Sequence, residues 1–210
     1  MKGKVIIIRT LLICRGAPGA GKSTWIKEYG LSAYTLCPDD IRVLCSSREL
    51  KADGSFAIAR NHQTEQETWK VIFELLEYRM SRGELTVLDA TGSKTKDIQQ
   101  YKDLADMYRY RTYVVDFTDV PLEKCLEQNK MRPQDKWVPE EGIRNIYARF
   151  ATQPVPGRVE VIKPDELDKI MEKPLDLSSY RKIVFIGDIH GCYDTLMQYF
   201  KDGLEDDVEY

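Results

Sequence analysis

The chain has 210 residues, a formal net charge of −3, and 42% hydrophobic against 31% charged residues. That length accommodates one ordinary domain and a further segment, and the apolar content excludes a disordered chain. The charge excludes a global basic field, so a polyanion would have to be met by a local cluster of Arg and Lys.

The opening MKGKVIIIRTLLIC imitates a secretory leader, with two lysines before an apolar run. Arg9 interrupts that run, and the apolar residues after it read as a core strand near 10–15. No other stretch is apolar for long enough to cross a membrane. The strand feeds GAPGAGKST, residues 16–24, which satisfies GxxxxGK[ST] from Gly16 to Ser23. Across Gly16, Ala17, Pro18, Gly19, Ala20 and Gly21, the glycines let backbone N–H groups close around phosphate oxygens, and the helix opening at Lys22 aims its positive end at them. Lys22 reaches the outer phosphates, the Ser23 hydroxyl suits Mg²⁺, and Thr24 closes the motif. A glycine-rich strand-to-helix turn can match this pattern by chance. The apolar TLLIC before it and the helical pattern after it favour binding of a nucleoside triphosphate.

A second strand near 33–37 delivers CPDDIR, residues 37–42. With a helix beginning near Asp39, Asp39 and Arg42 share a face while Asp40 points elsewhere. An acid and an arginine aimed together suit a base for an alcohol and a clamp for an anion. Asp39 as an N-cap and Arg42 as a surface cation is an equal reading of the two residues alone, and the neighbouring loop tips it towards chemistry. The longest helix is expected over about 57–82, with Trp69, Ile72, Phe73, Leu76 and Met80 as core at helical spacing and Gly83 as its stop. His62, at its start, is expected to be solvated.

A third strand near 85–89 ends in TVLDATG, with a single Asp89 where a motor or switch would carry an acidic pair. Asp89 at a strand's carboxyl end faces the ligand crevice, where it can assist a metal, hold the first loop, or merely cap a turn. A fourth strand near 111–117 precedes the helix PLEKCLEQNK and the polar MRPQDKWVP. Arg132 leaves that helix as a candidate lid arginine, or as a helix-terminal cation favouring the dipole by ~0.3–1 kcal/mol. Lys130 and Lys136 are expected to be solvated. A further helix should begin after Pro139 with Glu140 and Glu141 in its first turn, and a fifth strand is expected near 158–162. The alternation predicts an α/β fold of P-loop NTPase type, a parallel sheet with helices on both faces. The cysteines, Cys14, Cys37, Cys45, Cys125 and Cys192, are odd in number and lack CxxC spacing, which predicts reduced thiols in a cytoplasmic setting.

EKPLDLSSYR, residues 172–181, is the candidate boundary. Beyond it the apolar KIVFI enters Gly187-Asp188-Ile189-His190-Gly191, a phrase that can place an Asp and a His in one metal site. A two-metal centre needs more ligands than Asp188 and His190, and no histidine occurs after Gly191. The expectation is an incomplete, inactive start of a metal site, with the closing KDGLEDDVEY as solvated surface.

Taken together, GAPGAGKSTW, DDIR, LTVLDATG and QNKMR resemble the kinase module of polynucleotide 5′-kinases, both phage end-healing enzymes and bacterial polynucleotide kinase–phosphatases, over about residues 10–165. From KIVFIGDIHGC onward the chain resembles the start of the calcineurin-like metallophosphatase module of the bacterial type. The resemblance implies a kinase domain over 1–175 and a phosphatase segment over 181–210, where Mn²⁺ or Ni²⁺ would serve only a complete domain. It implies that Lys22 and Ser23 bind the phosphates of ATP and Mg²⁺, and that Asp39 activates a 5′-hydroxyl. Arg42 would hold the neighbouring substrate phosphate, and Arg132 would stabilise the transferred group. Many relatives have a second lid arginine where this chain has Gln128, which implies a weaker or rearranged grip. The implied partners are a nucleoside triphosphate and a 5′-hydroxyl RNA or DNA end, with phosphatase and ligase modules downstream in an RNA-repair setting and no membrane. A small-molecule kinase, which needs no internal phosphate clamp, and a nucleotide-dependent binding module without phosphotransfer are the alternatives.

Overall fold

The computed structural model describes residues 9–46, 48–50, 52, 54, 56–58, 62–133, 136–170 and 190–203. It divides into two compact units, Met1–Glu172 and Lys173–Tyr210.

In the first unit all six residues of β1 (Thr10–Arg15) are buried, as a parallel strand covered on both faces requires. It pairs in parallel with β5 (Thr86–Leu88) on one side and β6 (Arg111–Asp116) on the other. Outside these lie β2 (Thr35–Leu36) and β7 (Glu160–Ile162), giving the order β2-β5-β1-β6-β7 among the described residues. Alternate β1 residues face opposite layers. Leu12 and Cys14 pack with α1 (Lys22–Glu28), α5 (Leu122–Lys130), α6 (Glu140–Thr152) and α7 (Leu167–Ile170) through Trp25, Ile26, Cys125, Leu126, Ile143 and Leu167. Leu11 and Ile13 pack with α3 (His62–Ser81) and α4 (Thr95–Met107) through Ile72, Leu76, Met80, Ile98 and Ala105. Leu76, fully buried in that layer, should lose ~2–5 kcal/mol on truncation to alanine. The expected α/β fold with helices on both faces is therefore present.

Trp69 and Phe73 pack on Tyr101 as core aromatics, and His62 is exposed, both as expected. One local expectation is corrected, and one alternative is closed. The long helix does not start near 57, because Phe56–Ile58 is a strand, β4, paired antiparallel with β3 (Arg48–Leu50). Asp53-Gly54 between these triplets is a hairpin signal that outweighs the helical periodicity, and Gly54 has φ +79. The helix carrying Asp39, α2 (Pro38–Cys45), begins at Pro38 with Cys37 as N-cap, so Asp39 lies inside the first turn and is not the cap. Proline suits that first helical position because its missing N–H would have no partner there.

No described helix is long and apolar enough to cross a membrane. All five cysteines are free thiols. In the second unit the described residues form α8 (Tyr193–Gly203) and the turn before it, where His190 and Gly191 have φ +38 and +81. Asp188, the KIVFI strand and the 172–181 boundary lie outside the described residues. Among those described, no group of three or more His, Cys, Asp or Glu could hold a metal.

Candidate functional site

The loop between β1 and α1 is pressed into the protein along most of its length. Gly16 N donates to Thr91 O at 3.0 Å, joining the loop to the β5–α4 connection. A Cβ on Gly16 would lie 2.8 Å from Phe117 Cβ, and one on Gly19 only 2.2 Å from the Cys125 carbonyl oxygen of α5. Gly19 also has φ +84, so close approach and backbone conformation both demand glycine. Ala17, Pro18 and Ala20 are buried, Gly21 caps α1 at φ +90, and Ser23 and Thr24 are exposed at its start.

The Lys22 side chain folds back over this loop, donating from Nζ to Gly16 O and Ala17 O at 2.9 Å each. It is 8% exposed. Burial pushes its pKa down, and the Asp89 carboxylate partly offsets that. Ser23 Oγ donates to Asp89 Oδ2 at 2.8 Å, while Asp89 N donates to Leu36 O. Of the roles open to Asp89, holding the first loop is realised directly. The hydroxyl and carboxylate oxygens also form a hard-donor pair of the kind magnesium prefers.

The second cluster is built on α2. Asp39 Oδ1 accepts from Arg42 Nη1 at 2.6 Å, and Asp39 Oδ2 lies 3.6 Å from Arg132 Nη2. Arg42 is no surface cation. It is 8% exposed and meets the Glu65 carboxylate of α3 by two bonds, Nε to Oε1 at 2.6 Å and Nη2 to Oε2 at 3.2 Å. Burial would by itself lower the Arg42 pKa, but hydrogen bonds to Glu65 and Asp39 more than reverse this and fix the cation. The (i, i+3) spacing of Asp39 and Arg42 was legible; Glu65, 23 residues away from Arg42, carried no local signal.

Arg132 follows α5, and Asn129 at that helix's end, 1% exposed, braces the segment beyond it. Its side chain donates to Val138 O at 2.8 Å and accepts from Val138 N at 3.2 Å. Asp40 points away from the Asp39–Arg42 pair as expected, but it is engaged. Lys136 Nζ reaches it at 2.8 Å, which corrects the expectation that Lys136 is only solvated. Lys130 is exposed as expected, with Glu140 at 3.5 Å. The structure thus brings Gly16 to Thr24 together with Asp89, and Asp39 together with Arg42 and Arg132.

Arg15 was not anticipated from the sequence. Its guanidinium donates to Gly92 O and Gln153 O at 2.7 Å each and lies 4.9 Å over the Phe150 ring. It anchors the last residue of β1 to the loop after β5 and to the end of α6. A lone arginine closing an apolar strand gives no sign of such partners.

A comparison with curated proteins finds no match. Among solved structures, the chain is similar to one from "the Pnkp1/Rnl/Hen1 RNA repair complex" at 20% identity and TM-score 0.56, covering 72% of this chain and 47% of that one. The chain therefore spans about half the length of that relative. It is also similar to a putative kinase from Chloroflexus aurantiacus at 13% identity and TM-score 0.51, covering 95% of this chain and all of that one. At these identities the likeness is one of fold. A family model described as "AAA domain" matches residues 11–153, a span that includes the 16–24 loop, Asp39, Arg42, Asp89 and Arg132. Matched over more than half its length and built on a P-loop NTPase-like parallel sheet, the chain belongs to the AAA domain family.

Proposed function

We propose that this chain is an ATP-dependent polynucleotide 5′-hydroxyl kinase, moving the γ-phosphate of ATP onto a 5′-hydroxyl RNA or DNA end. The observation that carries the reading is the Asp39 carboxylate, with one oxygen bonded to Arg42 and the other facing Arg132. A base with an arginine on each side suits a hydroxyl that must lose a proton beside anionic phosphates.

In the proposed step the 5′-oxygen attacks the γ-phosphorus in line as its proton passes to Asp39. The bond from phosphorus to the bridging oxygen breaks, and that oxygen leaves with ADP. Lys22, held over the loop by two carbonyls, exchanges those contacts for phosphate oxygens. Arg132 leaves Asp39 for the transferred group. Arg42 uses three of its five N–H donors on Asp39 and Glu65, leaving two for an acceptor phosphate. Magnesium, which Ser23 and Asp89 would hold, neutralises charge on the outer phosphates when bound.

The similarity to a chain of an RNA repair complex supports an RNA-repair role, and the free thiols suit a cytoplasmic setting. We assign the kinase to residues 1–175 and 181–210 to a metallophosphatase-type segment, on the strength of its GDIHG phrase. One observation favours a second reading, a small-molecule kinase: Arg42 is already met by two carboxylates. A single panel decides between them. γ-Labelled ATP is offered with 5′-hydroxyl RNA and DNA oligomers, a 5′-phosphorylated control and small alcohols. The expected result is label on the 5′-hydroxyl oligomers alone, and label only on small molecules would overturn the assignment.

A further inference from the structure

We infer that Glu65 is a positioning residue for the acceptor site, holding Arg42 by one edge so that its opposite edge serves Asp39 and an acceptor anion. The inference rests on the roles proposed above for Asp39 and Arg42.

The geometry divides the guanidinium in two. Nε and Nη2 form one edge of the planar fork, and both are taken by the Glu65 carboxylate at 2.6 and 3.2 Å. Nη1, on the far side, meets Asp39 at 2.6 Å. A two-point contact fixes the plane of the group as well as its position, which a single bond cannot do. The partners come from different helices, Arg42 from α2 and Glu65 from the first turn of α3, so the angle of Arg42 is set by how those helices pack. Arg42 is buried while the Glu65 side chain is 39% exposed, so the acid is the accessible handle on a buried cation.

Asp39 is restrained through the same group. Its carboxylate meets Arg42 through Oδ1 and faces Arg132 through Oδ2. Glu65 shares Arg42 with Asp39, so the contact that orients Arg42 also sets the side from which Arg42 holds Asp39. Glu65 therefore acts on the acceptor site through Arg42.

The test measures kcat, acceptor KM and ATP affinity for wild type, Glu65→Gln, Glu65→Asp and Arg42→Lys, and for Glu65→Gln combined with Arg42→Lys. Glu65→Gln keeps the shape and loses the charge. It should cut kcat/KM for the acceptor by about tenfold, the scale of a charge-assisted hydrogen bond, and leave ATP affinity within twofold. The loss should fall more on acceptor KM than on kcat, and Glu65→Asp should recover part of it. In the Arg42→Lys background, which lacks the two-point contact, Glu65→Gln should add less than twofold. Additive losses, a loss confined to kcat, or an equal loss of ATP affinity would each overturn the inference. Absence of transfer by the wild type to any acceptor would instead overturn the kinase reading beneath it. If label enters only small alcohols, the same variants are run with that acceptor and judged by the same criteria.

Discussion

Asp39 and Asp40 are adjacent acids on one helix, and their surroundings differ sharply enough to test the roles proposed for them. Asp39 has its two oxygens towards Arg42 and Arg132, whereas Asp40 has one partner, Lys136 at 2.8 Å, on an exposed face. Asp39→Asn removes the proposed proton acceptor and leaves Arg42 with Glu65 as its remaining carboxylate. General-base assistance contributes ~10²–10⁴-fold, so turnover should fall by that amount. Asp40→Asn removes an exposed ion pair worth ~0.2–1 kcal/mol, which is at most about fivefold if all of it were expressed in the rate. Neither side chain bonds to the 16–24 loop, so ATP affinity should hold within about threefold in both variants. The assay is transfer of γ-labelled phosphate to a 5′-hydroxyl oligomer under single-turnover conditions, with nucleotide affinity measured separately. Equal losses in the two variants, or a larger loss at Asp40, would refute the assignment of the base.

Gly19→Ala should be far more damaging than Gly21→Ala. Both replace a left-handed glycine at ~1–2 kcal/mol, but only at Gly19 does the new Cβ meet backbone, 2.2 Å from Cys125 O. Urea unfolding and nucleotide titration should show the difference, with α5 displaced only in Gly19→Ala. Arg132→Ala should slow single-turnover transfer by ~10³–10⁵-fold with a much smaller change in ATP affinity, as for a transition-state arginine; a loss confined to ATP affinity would contradict its lid role. Burial and the nearby Asp89 push the Cys37 thiol up to about 11, so the fold favours its neutral form. Its stabilising share is present below pH 9 and lost as pH rises towards 11. Urea midpoints measured from pH 8 to 11 should therefore fall less steeply in Cys37→Ala than in the wild type.

The phosphate loop was fully legible in the chain, because what it requires is local. Glycines at 16, 19 and 21, an apolar strand before them and a lysine and serine after them are contiguous, and backbone conformation is read over such short spans. The same holds for the Asp39–Arg42 pair, whose separation of three residues is enough to place both on one helical face. The strand–helix alternation likewise implied a parallel sheet, since strands joined through helices cannot close as hairpins. The Asp-Gly pair at 53–54 is a local hairpin signal too, and the β3–β4 pairing ends the helical pattern short of residue 58.

The partners of the charged groups could only come from tertiary structure. Glu65 lies 23 residues from Arg42, Arg132 lies 93 from Asp39, and Lys136 lies 96 from Asp40. No periodicity spans such distances. The order β2-β5-β1-β6-β7 sets Asp89 beside the loop at Ser23, and the packing of α2 on α3 delivers Glu65 to Arg42. Arg15 finds Gly92 and Gln153 in the same way, through the convergence of β1, the loop after β5 and the end of α6. An ionic side chain is directed by whatever opposite charge or carbonyl the fold carries within reach of it. Residue type and spacing therefore marked which groups are candidates for chemistry, while the packing of distant helices decided which charges restrain them.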